Sequence, residues 1–181
     1  MKQLTIILGI LILGSSVVVA EQNECETPDG LPPLAVYSLF YSNYRNGDYE
    51  FALKYGRWMV NCEIREIEGN NRYSLSRHYE RMVKSYEEIA KSKEDPSVKA
   101  AYIDSALTLF DRGFEIFSDE EVDNYEWRLD KGRFVQTNAD FIDGGAEQAF
   151  SIYRKLFEED PKRTTELGEG YYFQLILQDM V

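Results

Sequence analysis

Apolar residues recur along most of this chain at steps of three and four positions, which places them on one face of an α-helix. Nowhere do apolar and polar residues alternate in the manner of a half-buried β-strand. The pattern predicts an all-α fold with about seven helices. They are expected at residues 33–45, from 49 to a break at 68–71, at 75–91, 96–117, 119–137 and 146–158, and over a last segment that includes 167–180.

The residues Asn46, Gly47 and Asp48 separate the first two predicted helices. Asn46 and Gly47 tolerate the left-handed conformation with which many helices end. The Asp48 carboxylate is suited to accept hydrogen bonds from the exposed N–H groups of the next helix. The sequence therefore predicts a tight turn that folds the second helix back on the first.

Three later turns carry signals for the start of a helix. Asp95 and Asp160 are each followed by proline, which combines a capping carboxylate with a residue suited to the first helical turn. Ser118 and Glu121 have the spacing of a capping box. This spacing predicts that the fifth helix begins at Asp119.

The segment from Asn46 to Leu53 resembles the inter-helix turn of a tetratricopeptide repeat (TPR). The turn in that family typically consists of a polar residue, then Gly, then Asp or Asn, then Tyr, followed by two polar residues and a small Ala. Leu39 lies thirteen residues before Ala52, which is the spacing of the family's first-helix leucine. Later hairpins match parts of the second-helix pattern, at Ala106, Phe110, Gly113, Ala149, Tyr153, Leu156 and the closing Pro161.

The resemblance covers about residues 33–181. It implies a right-handed stack of antiparallel helix hairpins, a TPR-like α-solenoid, with a concave groove that binds a peptide or another protein. It implies no catalysis.

The repeats depart from the family pattern in spacing and in one contact. The marker residues Ala52, Ala106 and Ala149 are 54 and 43 positions apart, whereas the standard repeat has about 34 residues. Phe40 stands where the family prefers a small residue, and Gly56 stands where it prefers an aromatic one. Because a large side chain facing a hole conserves volume, we expect Phe40 to pack against Gly56.

The first 20 residues have the organisation of an export signal. Lys2 gives a positive start, residues 4–13 form an apolar core, and the small residues 18–20 precede Glu21. An uncleaved membrane anchor is the alternative interpretation, but the short core and the cleavage-like site favour removal. The prediction is an exported chain, periplasmic or secreted, with a signal peptide at 1–20, an acidic linker at 21–32 and a TPR-like domain at 33–181.

Acidic residues outnumber basic ones by 32 to 20, which gives a net charge of −12. Loss of Lys2 with the signal makes the charge −13. Nucleic acid and anionic membranes repel such a polyanion, so neither is expected as a partner. A solvated, soluble surface explains the acidity without a specific basic ligand.

Cys25 and Cys62 are the two cysteines of the chain. Export would place them where oxidation occurs. A disulfide across this 37-residue span would contribute about 4 kcal/mol in the chain-entropy model. The alternative is that Cys62 is a small core residue and that Cys25 lies in a tail.

Groups suited to catalysis are scarce in this sequence. His78 is the single histidine, so a cluster of histidine ligands is excluded, and its place near a helix start predicts a surface or capping role. The acidic runs 87–88, 119–121 and 158–160 fit helix ends and solvated faces better than paired catalytic carboxylates. We predict no enzymatic activity, no cofactor and no metal; weak carboxylate chemistry is the least favoured alternative.

Aromatic and arginine side chains are the remaining candidates for recognition, because both are enriched in binding surfaces. The predicted function is an exported protein–protein interaction scaffold. The alternative is a module that binds carbohydrates or other small molecules on surface aromatics. The candidate partner-binding surface consists of Tyr37, Tyr41, Tyr44, Trp127, Arg128 and Arg133.

The last residues, Tyr171 to Val181, are apolar where the terminal helix of a repeat array is usually polar outside. We expect them either to cap the preceding hairpin, to begin a further repeat, or to provide a face for self-association.

Overall fold

A computed structural model of the chain describes residues 25–70 and 73–166. These residues form seven α-helices and no β-strand, so the predicted all-α class is confirmed for this part of the chain. The helices are α1 (Pro33–Asn46), α2 (Tyr49–Asn61), α3 (Leu75–Ser92), α4 (Pro96–Ile116), α5 (Asn124–Thr137), α6 (Gly145–Glu159) and α7 (Pro161–Glu166).

Each helix packs mainly against its neighbours in the chain. The contacts are extensive between α1 and α2, α2 and α3, α3 and α4, and α5 and α6, and are much fewer between α4 and α5. Two short 3-10 turns, Pro28–Gly30 and Ala139–Phe141, lie against α2 and against α4 and α6, respectively. The sparse junction between α4 and α5 therefore divides the described fold into four helices and three.

The turn between α1 and α2 has the predicted left-handed backbone. Gly47 has φ +78°, and the Asp48 N–H donates to the carbonyl of Asn43 at 2.9 Å, which satisfies an end of α1. The prediction that the Asp48 carboxylate caps α2 is wrong, because this side chain makes no capping hydrogen bond. The tight turn thus depends on backbone conformation and backbone hydrogen bonds.

The predicted contact between Phe40 and Gly56 is confirmed. Both residues are buried, and a Cβ atom added to Gly56 would lie 2.7 Å from Cε2 of Phe40 and in collision with the Met82 sulfur. The absence of a side chain at Gly56 therefore allows α1, α2 and α3 to meet. Leu39, which corresponds in spacing to the first-helix leucine of the TPR pattern, is exposed at 36%.

Two groups of buried side chains form the core. The larger group belongs mainly to α1–α4 and also includes Trp127 and Phe134 of α5. The smaller group lies between α5 and α6 and consists of Tyr125, Leu129, Val135, Ala149, Tyr153 and Leu156. Because α5 contributes to both groups, it joins the two parts of the fold.

The predicted start of the fifth helix at Asp119 is wrong; α5 begins five residues later, at Asn124. The Glu121 carboxylate does reach back to the Ser118 N–H at 3.3 Å, as in a capping box, but it also pairs with Arg65 at 2.9 Å. The segment therefore forms a turn held by a distant arginine. Asp123 caps α5 instead, accepting from the Tyr125 N–H at 2.9 Å.

The other two aspartate caps are confirmed. Asp95 accepts from the Ser97 N–H at 2.8 Å at the start of α4, and Asp160 accepts from the Arg163 N–H at 2.9 Å at the start of α7. The predicted signal segment 1–20 and the apolar segment Tyr171 to Val181 lie outside the described residues. None of the described helices is both long and apolar enough to cross a membrane.

Candidate functional site

Side chains of α1, α3 and α5 meet or line a common cleft, although these helices pack mainly against their neighbours in the chain. The rings of Tyr37 in α1 and His78 in α3 are 5.8 Å apart, and the Arg81 guanidinium lies 4.8 Å from the centre of the Tyr41 ring. On the other side of α3, residues of α3 and α5 line a common cleft. We call the side chains of α1, α3 and α5 that make these contacts or line this cleft the odd-helix face.

Tyrosines occupy the α1 part of the odd-helix face. Tyr37 and Tyr41 stack with ring centres 6.0 Å apart, and both are partly exposed. Arg81 and Arg45 both lie over the Tyr41 ring, at 4.8 and 5.8 Å. Such a ring, flanked by guanidinium groups and open to solvent, suits recognition of a polar or charged segment.

Tyr44 lies towards α2 and not towards α3. Its ring is 6.1 Å from that of Tyr49, and it packs partly buried against the core of the α1–α2 hairpin. Of the three predicted tyrosines, Tyr37 and Tyr41 therefore have contacts with α3, and Tyr44 has a contact within its own hairpin.

His78 is buried, and the prediction of a surface or capping role for it is wrong. Its side chain is 1% exposed, between the rings of Tyr37 and Phe40, and neither ring nitrogen has a hydrogen-bond partner. Burial, assisted by the nearby charge of Arg81, lowers the pKa of His78 to about 4. The neutral imidazole thus joins α1 to α3 as a core side chain.

The cleft between α3 and α5 has a volume of about 370 Å³. Phe110, Trp127 and Phe134 provide an aromatic floor, and charged side chains of α3 and α5 form the walls. The lining residues are Glu80, Val83, Lys84, Glu87, Phe110, Trp127, Asp130, Arg133, Phe134 and Thr137. An apolar floor with a few polar groups around it is the usual composition of a binding pocket.

The three residues of α5 that were predicted for the partner-binding surface do not lie together on one side of the helix. Trp127 is 3% exposed and donates its indole N–H to the Phe110 carbonyl at 3.0 Å, so most of its ring belongs to the core and only its edge lines the cleft. Arg133 lines the cleft and pairs with Asp130 at 3.0 Å. Arg128 instead forms an ion pair with Glu159 of α6.

Two carboxylates face the cleft from opposite walls. Partial shielding from water raises the pKa of Glu80, the negative charge of Asp130 raises it further, and the charges of Arg77 and Arg81 act in the opposite direction. Partial shielding from water also raises the pKa of Asp130, against the effect of its hydrogen bond with Arg133. Both carboxyl groups are therefore harder to ionise than carboxyl groups in open water.

Arg81 and Glu80 were not among the sequence candidates. Both belong to the polar side of α3, together with Arg77 and Lys84, at spacings of three and four residues. A row of charges at this spacing is usually an ordinary solvated helix face. The position of α3 as the first helix of its hairpin was the available signal that this row adjoins α1 and α5.

A second cleft, of about 570 Å³, lies between α4 and the segment that leads into α6. Asp104, Asp111 and Asp143 line it, together with Leu107 and Phe141. Lys131 of α5 pairs with Asp111. Within residues 25–70 and 73–166, no group of three or more His, Cys, Asp or Glu side chains is arranged to hold a metal ion.

Cys25 is exposed, whereas Cys62 has intermediate exposure. The Cys25 carbonyl accepts a hydrogen bond from the Trp58 indole at 3.1 Å, so the segment before α1 lies against α2. Cys62, at the end of α2, is partly buried against the core. The disulfide between them stays a prediction.

Comparisons with family models, with curated proteins and with solved structures gave no match to this chain.

Proposed function

We propose that this chain is an exported helical-repeat scaffold that presents the odd-helix face to a protein or peptide partner. In this proposal the hairpins α1–α2, α3–α4 and α5–α6 stack as TPR-like units in a right-handed solenoid. The observation that supports it best is the contact between first helices of successive hairpins, in which the Arg81 guanidinium of α3 lies 4.8 Å from the centre of the Tyr41 ring of α1. In a stack of hairpins the first helices line the concave side, which is where such proteins bind.

The composition of the odd-helix face supports binding of a protein. Tyr37 and Tyr41 are rigid, amphipathic side chains, and Arg81 offers several N–H donors. The neighbouring cleft adds small exposed areas of otherwise buried aromatic rings, beside charged walls. Aromatic and arginine side chains are the residues that carry much of the affinity at protein interfaces.

The partner is testable by affinity capture from the envelope and secreted fractions of the cells that produce the chain. We expect a specific protein to be retained by the mature chain, and Tyr41→Ala or Arg81→Ala to reduce its recovery about tenfold, since residues of this kind dominate interfaces. Arg154→Ala is the matched control, because Arg154 pairs with Glu158 on the outer surface of α6. Retention of small molecules alone, with no protein, would refute the scaffold.

Export is testable on the same preparation. We expect the chain to be recovered outside the cytoplasm with Glu21 as its first residue, because the predicted cleavage site follows Ala20. Intact-mass measurement checks the cleavage, and alkylation without prior reduction shows whether Cys25 and Cys62 are bonded. A full-length chain in the cytoplasm would contradict the proposed location.

A further inference from the structure

The cleft between α3 and α5 is open at the surface and is lined by rings at its base. Phe110, Trp127 and Phe134 are each largely buried, and they leave only small areas of ring exposed at the floor. The Trp127 N–H is already bonded to the Phe110 carbonyl. This floor therefore offers aromatic surface to a ligand rather than a hydrogen-bond donor.

The charges on the walls are not balanced. Lys84 pairs with Glu87 and Glu88 along its own helix, at 3.2 and 2.7 Å. Asp130 pairs with Arg133, also along its own helix. Glu80 forms no ion pair or hydrogen bond among the described residues, although the charges of Arg77 and Arg81 attract it. Three acidic and two basic side chains line the cleft, so a net negative charge remains there.

Glu80 of α3 and Asp130 of α5 line the cleft from opposite walls, and the negative charge of Asp130 is one of the causes that raise the pKa of Glu80. A cation placed between the two walls would be attracted by both carboxylates and would remove this repulsion. A cation over the aromatic floor would also gain from the negative face of the rings. A contact between a cation and an aromatic ring occurs elsewhere in the fold, where the Arg163 guanidinium lies 4.2 Å from the centre of the Tyr125 ring.

We infer that the cleft between α3 and α5 binds a basic side chain, arginine or lysine, of the protein partner, with the cation at Glu80 and Asp130 and its aliphatic stem on the aromatic floor. This inference rests on the proposed function, because it assigns one subsite of the odd-helix face. The stem of such a side chain matches an apolar floor, while its charged end matches the acidic walls. The net charge of −12 favours the approach of a basic segment.

The test is a titration of the chain with a blocked peptide, N-acetyl-Leu-Arg-Leu-amide, followed by NMR of the tryptophan indoles. The chain has two tryptophans. Trp127 reports on the cleft, and Trp58, whose indole N–H donates to the Cys25 carbonyl at the other end of the fold, is an internal control. We expect the Trp127 resonances to shift with the peptide while those of Trp58 stay in place. The same peptide with citrulline in place of arginine keeps the shape and lacks the charge.

Glu80→Gln is the decisive variant, since Glu80 is exposed and its replacement leaves the core intact. We expect about fivefold weaker binding of the arginine peptide, the scale of one exposed ion pair. Glu115→Gln, at an exposed position of α4, makes the same change of charge and should leave binding unaltered. Equal binding of the arginine and citrulline peptides, or equal loss in the two variants, would overturn the inference.

The result also separates this inference from the proposed function. A captured partner that binds wild-type chain and Glu80→Gln equally, but is lost with Arg81→Ala, overturns the basic-residue subsite and leaves the scaffold standing. If capture retains no protein, the scaffold is refuted together with the partner that this subsite requires.

Discussion

Burial of His78 predicts a specific dependence of stability on pH. Its pKa is about 4 in the folded chain, against about 6.5 when the chain is unfolded. Between these values the unfolded chain binds a proton that the folded chain does not. The free energy of unfolding therefore falls as the pH is lowered through this window, and the contribution of His78 is fully present above pH 6.5.

The size of the effect follows from the difference of 2.5 pKa units, which corresponds to about 3 kcal/mol. The comparison is between wild-type chain and His78→Phe, in urea unfolding at pH 4, 5, 6 and 7 followed by tryptophan fluorescence. Phenylalanine has a ring of similar size and cannot titrate, and it suits a site between Tyr37 and Phe40. Carboxylates titrate in both chains, so the difference between the two curves isolates the imidazole.

We expect the stability of wild-type chain relative to His78→Phe to decrease by about 3 kcal/mol from pH 7 to pH 4. Because the chain has one histidine, its NMR signal can be titrated directly. Parallel stability curves, or an imidazole that titrates near its ordinary pKa of about 6.5, would refute the burial of His78 between α1 and α3.

Three further substitutions test the packing of the helices by urea unfolding. Gly56→Leu should destabilise the chain by about 1–3 kcal/mol, because its side chain would meet the Phe40 ring; an unchanged midpoint would mean that α1 and α2 do not meet there. Asp95→Ala should lower the midpoint of unfolding through loss of the cap of α4, and no change would argue against that cap. Tyr125→Phe should cost about 1 kcal/mol and expose α7 to protease, since the Tyr125 hydroxyl bonds Thr164 at 2.6 Å; unaltered cleavage would contradict this docking.

The helices were predictable because their signals are local. Spacing of apolar residues placed them, and the turn at Gly47 and the cap at Asp95 depend on residues within a few positions. The contact between Phe40 and Gly56 was also predictable. Phe40 is larger, and Gly56 smaller, than the residues that the TPR pattern prefers at these two positions.

The errors concern features that depend on distant parts of the chain. Ser118 and Glu121 have the spacing of a capping box, but the Glu121 carboxylate also pairs with Arg65, which lies 56 positions away, and the segment forms a turn. His78 was predicted to lie at the surface. It is buried because α3 contacts α1, α2 and α4, and these contacts cover more of the helix than a single apolar stripe.

The cleft could be predicted only in part. Trp127 and Arg133 were candidates because aromatic and arginine residues favour recognition, and both line it. Their roles differ in a way that the sequence does not show, since Trp127 is the floor and Arg133 is on a wall. Glu80 was not a candidate, because its significance comes from the Asp130 charge on another helix.

Site-specific photocrosslinking in the producing cells tests the central claim most directly. A photoreactive residue would replace Tyr41 or Glu80 on the odd-helix face, and Thr108 of α4 or Ser151 of α6 as exposed controls on the second helices of their hairpins. We predict that the first two positions crosslink to the same protein and that the two controls do not. Crosslinks to a protein from Thr108 and Ser151, with none from Tyr41 and Glu80, would contradict the assignment of binding to the odd-helix face.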